Sequence, residues 1–235
     1  TKIVMVLQDP MTAHNPVRRI GSQMSESLVK RLGMSKEDAK KRSIELLSQV
    51  RLPEPELALT KYPHQLSGGM RQRVMIAMSI ACNPKLLFAD EPTTALDVTV
   101  QAQVLELLAD LRKDMGMAMV IVTHDLGVVA GYTDRIAVMY GGEIVELATT
   151  TDLFADVKMP YTEALMNAIP RIDRKRGSSL AAIEGMPPDP TTTHTGCAFA
   201  ARCPYAQQKC RDEHPELVDA GNGHLYRCFF PIGGK

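Results

Sequence analysis

The chain has 235 residues, 45% of them hydrophobic and 23% charged, with 27 basic and 27 acidic side chains. That is enough apolar material for a buried core, in one large domain or a domain with an appendage. The balanced charge excludes a broadly basic surface, so no nucleic acid partner is expected, and no apolar run reaches the roughly 18 residues of a transmembrane helix.

Residues 3–7 (IVMVL) predict a buried strand, ended by Gln8-Asp9-Pro10. A strand at the first residue, with no initiator Met, is expected to be the remainder of a longer protein. The stretch from Pro10 to Pro16 reads as loop. From about Gly21 to Val50 the pattern is helical and amphipathic, with Ile44, Leu47 and Val50 three apart, until Pro53 and Pro55 break it. YPHQLSGGM reads as loop. RQRVMIAMSIAC is a helix that starts immediately after the glycines and stops at Asn83-Pro84. A second buried strand follows over 85–89.

Asp97 or Thr99 caps a helix over about 99–114, striped by Val100, Val104, Leu107, Leu108 and Leu111 and ended by Gly116. MAMVIVTHD is a third strand, LGVVAGY a short helix and RIAVMY a fourth strand. Gly141-Gly142 turns that strand into EIVEL. Alternating strands and helices over 85–140 predict an α/β fold, a parallel sheet with helices on its faces and functional groups at the C-terminal ends of its strands. Gln8, Asp90, Glu91 and His124 occupy such ends. Beyond residue 150 come one short helix (PYTEALMNAIP), a basic linker (RIDRKRGSS), a Pro/Thr-rich loop and four of the five cysteines. The boundary is expected near 150, with little regular structure over 151–235.

Several of these segments carry chemistry. In LSGGMRQR, Ser67 and two glycines precede a helix whose unpaired N–H groups and partial positive charge suit an anion. An ordinary N-cap with a glycine turn reads the same way. Asp90 ends a buried strand, a position that suits Mg²⁺, and Glu91 beside it is free to act on a water. Acids are also common in plain turns. His124 after the third strand, alone, is as well explained by structure.

Taken in order, Gln8, Leu66-Ser67-Gly68-Gly69-Met70, Leu86 to Glu91, Ala95 to Asp97, and His124 resemble the ATP-binding subunit of an ABC transporter over roughly residues 1–150. They match its Q-loop, signature, Walker B, D-loop and H-loop. The resemblance implies a partial ABC-type P-loop ATPase core, with a helical subdomain over about 10–80 and a RecA-like part over about 81–150. It implies ATP and Mg²⁺ as ligands, Gln8 and Asp90 near the metal, Glu91 as general base and His124 at the γ-phosphate. Leu66 to Met70 would contact ATP held by a partner subunit, and Asp97 would signal across that interface. The phosphate cradle G-x-x-x-x-G-K-[ST] does not occur in the sequence; the only Gly-Gly-Lys ends at Lys235. The chain alone is therefore expected to bind ATP negligibly.

YPHQLSGGM, DEPTTALD and PYTEALMNAIP resemble the ATPases of di- and oligopeptide importers, a group that includes nickel importers, although Met159 stands where these usually have histidine. The tail CAFAARCPYAQQKC…YRCFFP is similar to their C-terminal extension. Four thiols, Cys197, Cys203, Cys210 and Cys228, suit an iron–sulfur cluster or a structural zinc. The absence of C-x-x-C pairs and the resemblance favour 4Fe-4S. Cys82 is expected in the core. Implied partners are a second ATPase subunit, a paralogue, two integral membrane permease subunits and an extracytoplasmic substrate-binding protein. The implied place is peripheral, on the cytoplasmic face of a bacterial or archaeal membrane. The other readings are a non-transport ABC ATPase and a non-catalytic metal-binding remnant.

Overall fold

The computed structural model describes residues 2–94, 96–169, 183–189, 191 and 195–233. Ala95, Lys235 and the expected basic linker lie outside the described residues. The chain forms two compact units, Thr1–His124 and Asp125–Lys235.

The first unit is built on three parallel strands in the order β1-β2-β3: β1 (Ile3–Val6), β2 (Leu86–Asp90) and β3 (Ala118–Val122). Val6 pairs with Ala89 and Ala89 with Ile121. Val4, Val6, Leu87, Ala89, Met119 and Ile121 join the core cluster. Their alternates face out, with Ile3 57%, Met5 51% and Val122 47% exposed. The expected fully buried strand is therefore a one-faced one, because the alternation of side chains sends every second residue to the uncovered side.

Helices supply the rest of this unit. Pro10 to Pro16 is not all loop: Asp9 accepts from the Met11 amide and caps α1 (Pro10–Ala13). The long amphipathic stretch is two helices, α2 (Ile20–Leu32) and α3 (Lys36–Gln49). Gly33 at φ 66° ends the first and Ser35, accepting from Asp38 N, starts the second. α4 (Pro55–Thr60) leads to α5 (Gly68–Ile80), capped by Ser67. α6 (Val98–Met115) takes Asp97 as its cap and Gly116 as its stop. Leu28, Leu46, Leu47, Ile76, Leu107 and Leu108 are wholly or almost wholly buried.

The second unit holds an antiparallel sheet in the order β4-β5-β7-β6. β4 (Arg135–Tyr140) and β5 (Glu143–Thr149) form a hairpin through Gly141 and Gly142, both at positive φ. β7 (Leu225–Tyr226) pairs with β5 and with β6 (Val218–Asp219). The expected fourth parallel strand is thus an antiparallel one, and residues 125–150 fold with the tail instead of ending the first domain at 150. The reason is Glu146 pairing with Tyr226, a ladder that no local pattern announces. The tail is also more regular than expected. α7 (Leu126–Val129), α8 (Thr150–Ala155), α9 (Pro160–Ala168) and α10 (Gln208–Asp212) complete the unit. Tyr140, Tyr161 and Phe199 pack with ring centroids 4.5–5.3 Å apart. Glu146, fully buried, accepts from the Lys158 and Met159 amides and from His224 Nε2 at 2.8 Å.

Candidate active site

The C-terminal ends of the three parallel strands bring Gln8, Glu91 and His124 together. The pairing of β1 with β2 ends at Val6 and Ala89, and the chain runs two residues further from each, to Gln8 and Glu91. Gln8 Nε2 donates to Glu91 Oε2 at 2.7 Å, and His124 Nδ1 lies 3.1 Å from Glu91 Oε1. Thr94 Oγ1 donates to Glu91 Oε2 at 2.8 Å. Thr94 escaped the sequence reading; its place three residues after Glu91, inside the turn where its amide meets the Glu91 carbonyl, is the signal that could have found it.

Glu91 sits at φ 41°, a left-handed conformation that non-glycine residues avoid, while its amide donates to Val122 O at 2.9 Å. A strained residue held by neighbours on both strands is common at functional positions. The Thr94 hydroxyl, then His124, hold the Glu91 carboxyl below its usual 4.5, keeping it ionised. Asp90 is the last residue of β2 and is half-buried beside Glu91. His124 is exposed.

The signature segment is built separately. Leu66 is buried and anchors the turn, whereas Ser67 and Gly68 are exposed. Ser67 Oγ accepts from Met70 N at 3.3 Å, leaving the start of α5 open to a ligand. A Cβ on Gly69 would stand 2.8 Å from Val100 Cγ1, so glycine lets α5 approach α6. Met70 is half-buried against the core cluster. Asp97, exposed, spends its carboxylate on Val100 N at 3.0 Å as a helix cap. Among the described residues no hydrogen bond joins the signature to the Glu91 cluster.

In the second unit Cys197, Cys203, Cys210 and Cys228 line one apolar cavity of about 10 Å³ with Met159, Phe199 and Phe229. Cys197 N donates to Cys210 O at 2.8 Å. A Cβ on Gly196 would stand 2.4 Å from Arg211 O, so only glycine permits that approach. Burial pushes the Cys197 and Cys203 thiols up, and Cys228 to about 11. Among the described residues, however, no group of three or more His, Cys, Asp or Glu side chains is set to hold a metal ion. The four thiols of the expected metal centre do gather round one cavity. Their donor chemistry fits a thiolate-bound centre, but the side chains are not closed upon one. Cys82, expected in the core, is half-buried.

Comparison with known proteins identifies the family. The family described as "ABC transporter" matches residues 1–94, and "Oligopeptide/dipeptide transporter, C-terminal region" matches residues 145–210. A probable peptide ABC transporter ATP-binding protein of Sinorhizobium fredii, y4tR, is 50% identical over 97% of this chain and 68% of its own length. The oligopeptide transport ATP-binding protein AppD of Bacillus subtilis is 50% identical over 97% of this chain and 69% of its own. The dipeptide transport ATP-binding protein DppD of Escherichia coli is 46% identical over 98% and 70%. The chain thus spans about two thirds of the length of these relatives. Among solved structures, cbiO1 of Clostridium perfringens, part of the ABC transporter complex cbiONQ, superposes with TM-score 0.59 at 29% identity, over 66% of this chain and 59% of that one. The cassette MJ0796, solved as a dimer bound to ADP and Pi, superposes with TM-score 0.56 at 34% identity, over 63% of each chain. Among the described residues no helix is long and apolar enough to cross a membrane. With Gln8, Glu91 and His124 joined at the strand ends and the signature capping α5, the chain belongs to the ATP-binding subunits of the peptide ABC transporters.

Proposed function

We propose that the chain energises the import of peptides across a cytoplasmic membrane by hydrolysing ATP, with Glu91 as the general base. The observation that carries this reading is the convergence of Gln8, Thr94 and His124 on one carboxylate at the ends of three parallel strands. An ionised carboxylate within hydrogen-bond reach of a water can take its proton as the water attacks the γ-phosphate. His124, on the other side of Glu91, stabilises charge on that phosphate. Gln8 and Asp90 would hold Mg²⁺, which would supply charge neutralisation at the phosphates. Leu66, Ser67, Gly68, Gly69 and Met70 present the start of α5 to ATP on a partner subunit, and Asp97 signals across that interface.

The proposed partners are a second ATPase subunit, a paralogue, with two membrane permeases and an extracytoplasmic substrate-binding protein. The proposed place is peripheral, on the cytoplasmic face of a bacterial or archaeal membrane. The four cysteines are assigned to a structural 4Fe-4S cluster, supported by the donor set, the apolar cavity and the main-chain amides of Phe199, Ala200, Tyr205 and Phe230 directed at the sulfurs. Zinc is the alternative occupant.

Two measurements test this. In a transporter reconstituted with a complete subunit that carries the phosphate cradle, Glu91→Gln should lower ATP hydrolysis about 100- to 10,000-fold and stop peptide uptake while ATP still binds. Near-normal turnover would remove Glu91 from the role. Anaerobically purified chain should be brown and contain iron and acid-labile sulfide. Zinc instead would reassign the site, and four freely alkylated thiols without metal would end the metal reading.

A further inference from the structure

His14 ends α1, six residues after Gln8, and is only 3% exposed. Its Nε2 lies 3.1 Å from the main-chain oxygen of Arg71 in α5. A carbonyl can only accept, so Nε2 carries the proton. Nδ1 has no partner among the described residues. The ring is therefore seated as a neutral imidazole with one bare nitrogen.

Arg71 binds in the other direction as well. Its Nε donates to Pro63 O at 2.8 Å and Leu66 O at 3.0 Å, the main chain that leads into Ser67. One of its terminal nitrogens meets the Met11 sulfur on α1. Arg71 thus ties the loop before the signature to the segment after Gln8, and His14 holds the main chain at that joint.

We propose that His14 and Arg71 form a latch that makes the Gln8 segment and the signature loop move as one body, and that protonation of His14 opens it. A proton on Nδ1 would create a buried donor without an acceptor, beside the Arg71 guanidinium. The charged or titratable groups facing the ring are Arg71 from α5, with Arg31 from α2 and Cys82 beyond α5 lining the same cavity of about 440 Å³. No acid lines that cavity among the described residues. On α1 itself, Asp9 is engaged with the Met11 amide. Burial, and then the Arg71 charge, hold the ring below its ordinary 6.5, against the opposing pull of the bond to the Arg71 carbonyl.

The sign follows from linkage. The released ring takes a proton near 6.5 and the latched ring only at lower pH. The latch is whole above 6.5 and weakens about tenfold per pH unit below it, until its own midpoint is passed. Its bearing on ATP hydrolysis rests on the roles proposed for Gln8 and Ser67; the latch itself does not.

Hydrogen exchange on the whole chain tests it, with rates corrected for the intrinsic effect of pH. Between pH 7.5 and 5.5, amides in 11–16 and in 64–72 should lose protection together. His14→Gln, which keeps an N–H donor and cannot titrate, should remove that response from both segments. Constant protection in the wild type, a response in one segment alone, or an unchanged response in His14→Gln would each overturn the proposal. Should the variant fail to fold, the ring nitrogens of wild-type His14 decide by NMR titration: a midpoint at or above 6.5 refutes the latch.

Discussion

The two units solve the same problem with different materials. Residues up to His124 bury a continuous aliphatic cluster, running from Val6 to Met117, between helices and one face of a sheet. Residues from Asp125 onward have fewer aliphatic side chains to bury. They rely on three packed aromatic rings, on the fully buried Glu146 with its three donors, and on four thiols round one cavity. Hydrophobic burial is non-directional and tolerates small losses, whereas a buried carboxylate is stable only while every partner is present. The first unit can therefore carry a strained, half-buried Glu91 at its surface without the core depending on it. The second has a fully buried carboxylate, Glu146, whose three donors hold the surrounding segments together.

The largest effect that separates the two strategies is expected at Glu146. Glu146→Ala strips acceptors from two main-chain amides and from His224, and should destabilise the second unit by about 3–5 kcal/mol. Glu146→Gln, which keeps an acceptor and the shape, should cost less. Chemical denaturation followed by exchange protection of residues 143–160 reads both. If the alanine variant behaved like wild type, the contrast between the units would collapse.

A comparable truncation in the first unit should act through volume alone. Leu107→Ala removes a buried side chain and should cost about 2–5 kcal/mol, with little dependence on pH or salt. A strong salt dependence of that loss in urea melts would contradict an aliphatic core.

A smaller effect is expected at the active site, where the scaffold does not depend on the chemistry. Thr94→Ala removes one donor from Glu91, worth about 0.5–1.5 kcal/mol, and should lower kcat of the assembled ATPase roughly 2- to 10-fold without raising KM. Thr94→Ser should restore it, and thermal stability should be unchanged. A rise in KM at constant kcat would mean that Thr94 serves ATP binding and not the base.

The smallest effect belongs to the surface. Lys41 and Glu37 form an exposed i,i+4 pair at 2.9 Å on α3. Lys41→Ala should cost no more than about 0.5 kcal/mol and vanish into experimental scatter at high salt. A loss above 1 kcal/mol would show that the lysine stem packs on the core.

What could be read from the sequence was local. Ser67 capping α5, Asp97 capping α6 and Gly116 ending it follow from a few neighbouring residues and their hydrogen bonds. The strands β1 to β5, but not β6 and β7, were recognisable as strands, and the motifs at the ends of β1, β2 and β3 could be placed, because parallel pairing aligns those C-terminal ends. Other features depended on partners far along the chain. Whether β1 was buried on one face or two turned on which helices cover it. Whether β4 joined the parallel sheet turned on β5 finding β7, near residue 226. Nothing local marks His14, which folding sets beside the Arg71 carbonyl, 57 residues along the chain. The sequence by itself determined the caps of α5 and α6 and the order of the motifs, since capping acts within a few residues. Only the tertiary structure decided which strands share a sheet and that Gln8 and His124 both reach Glu91, because each is a contact between residues that the chain holds far apart.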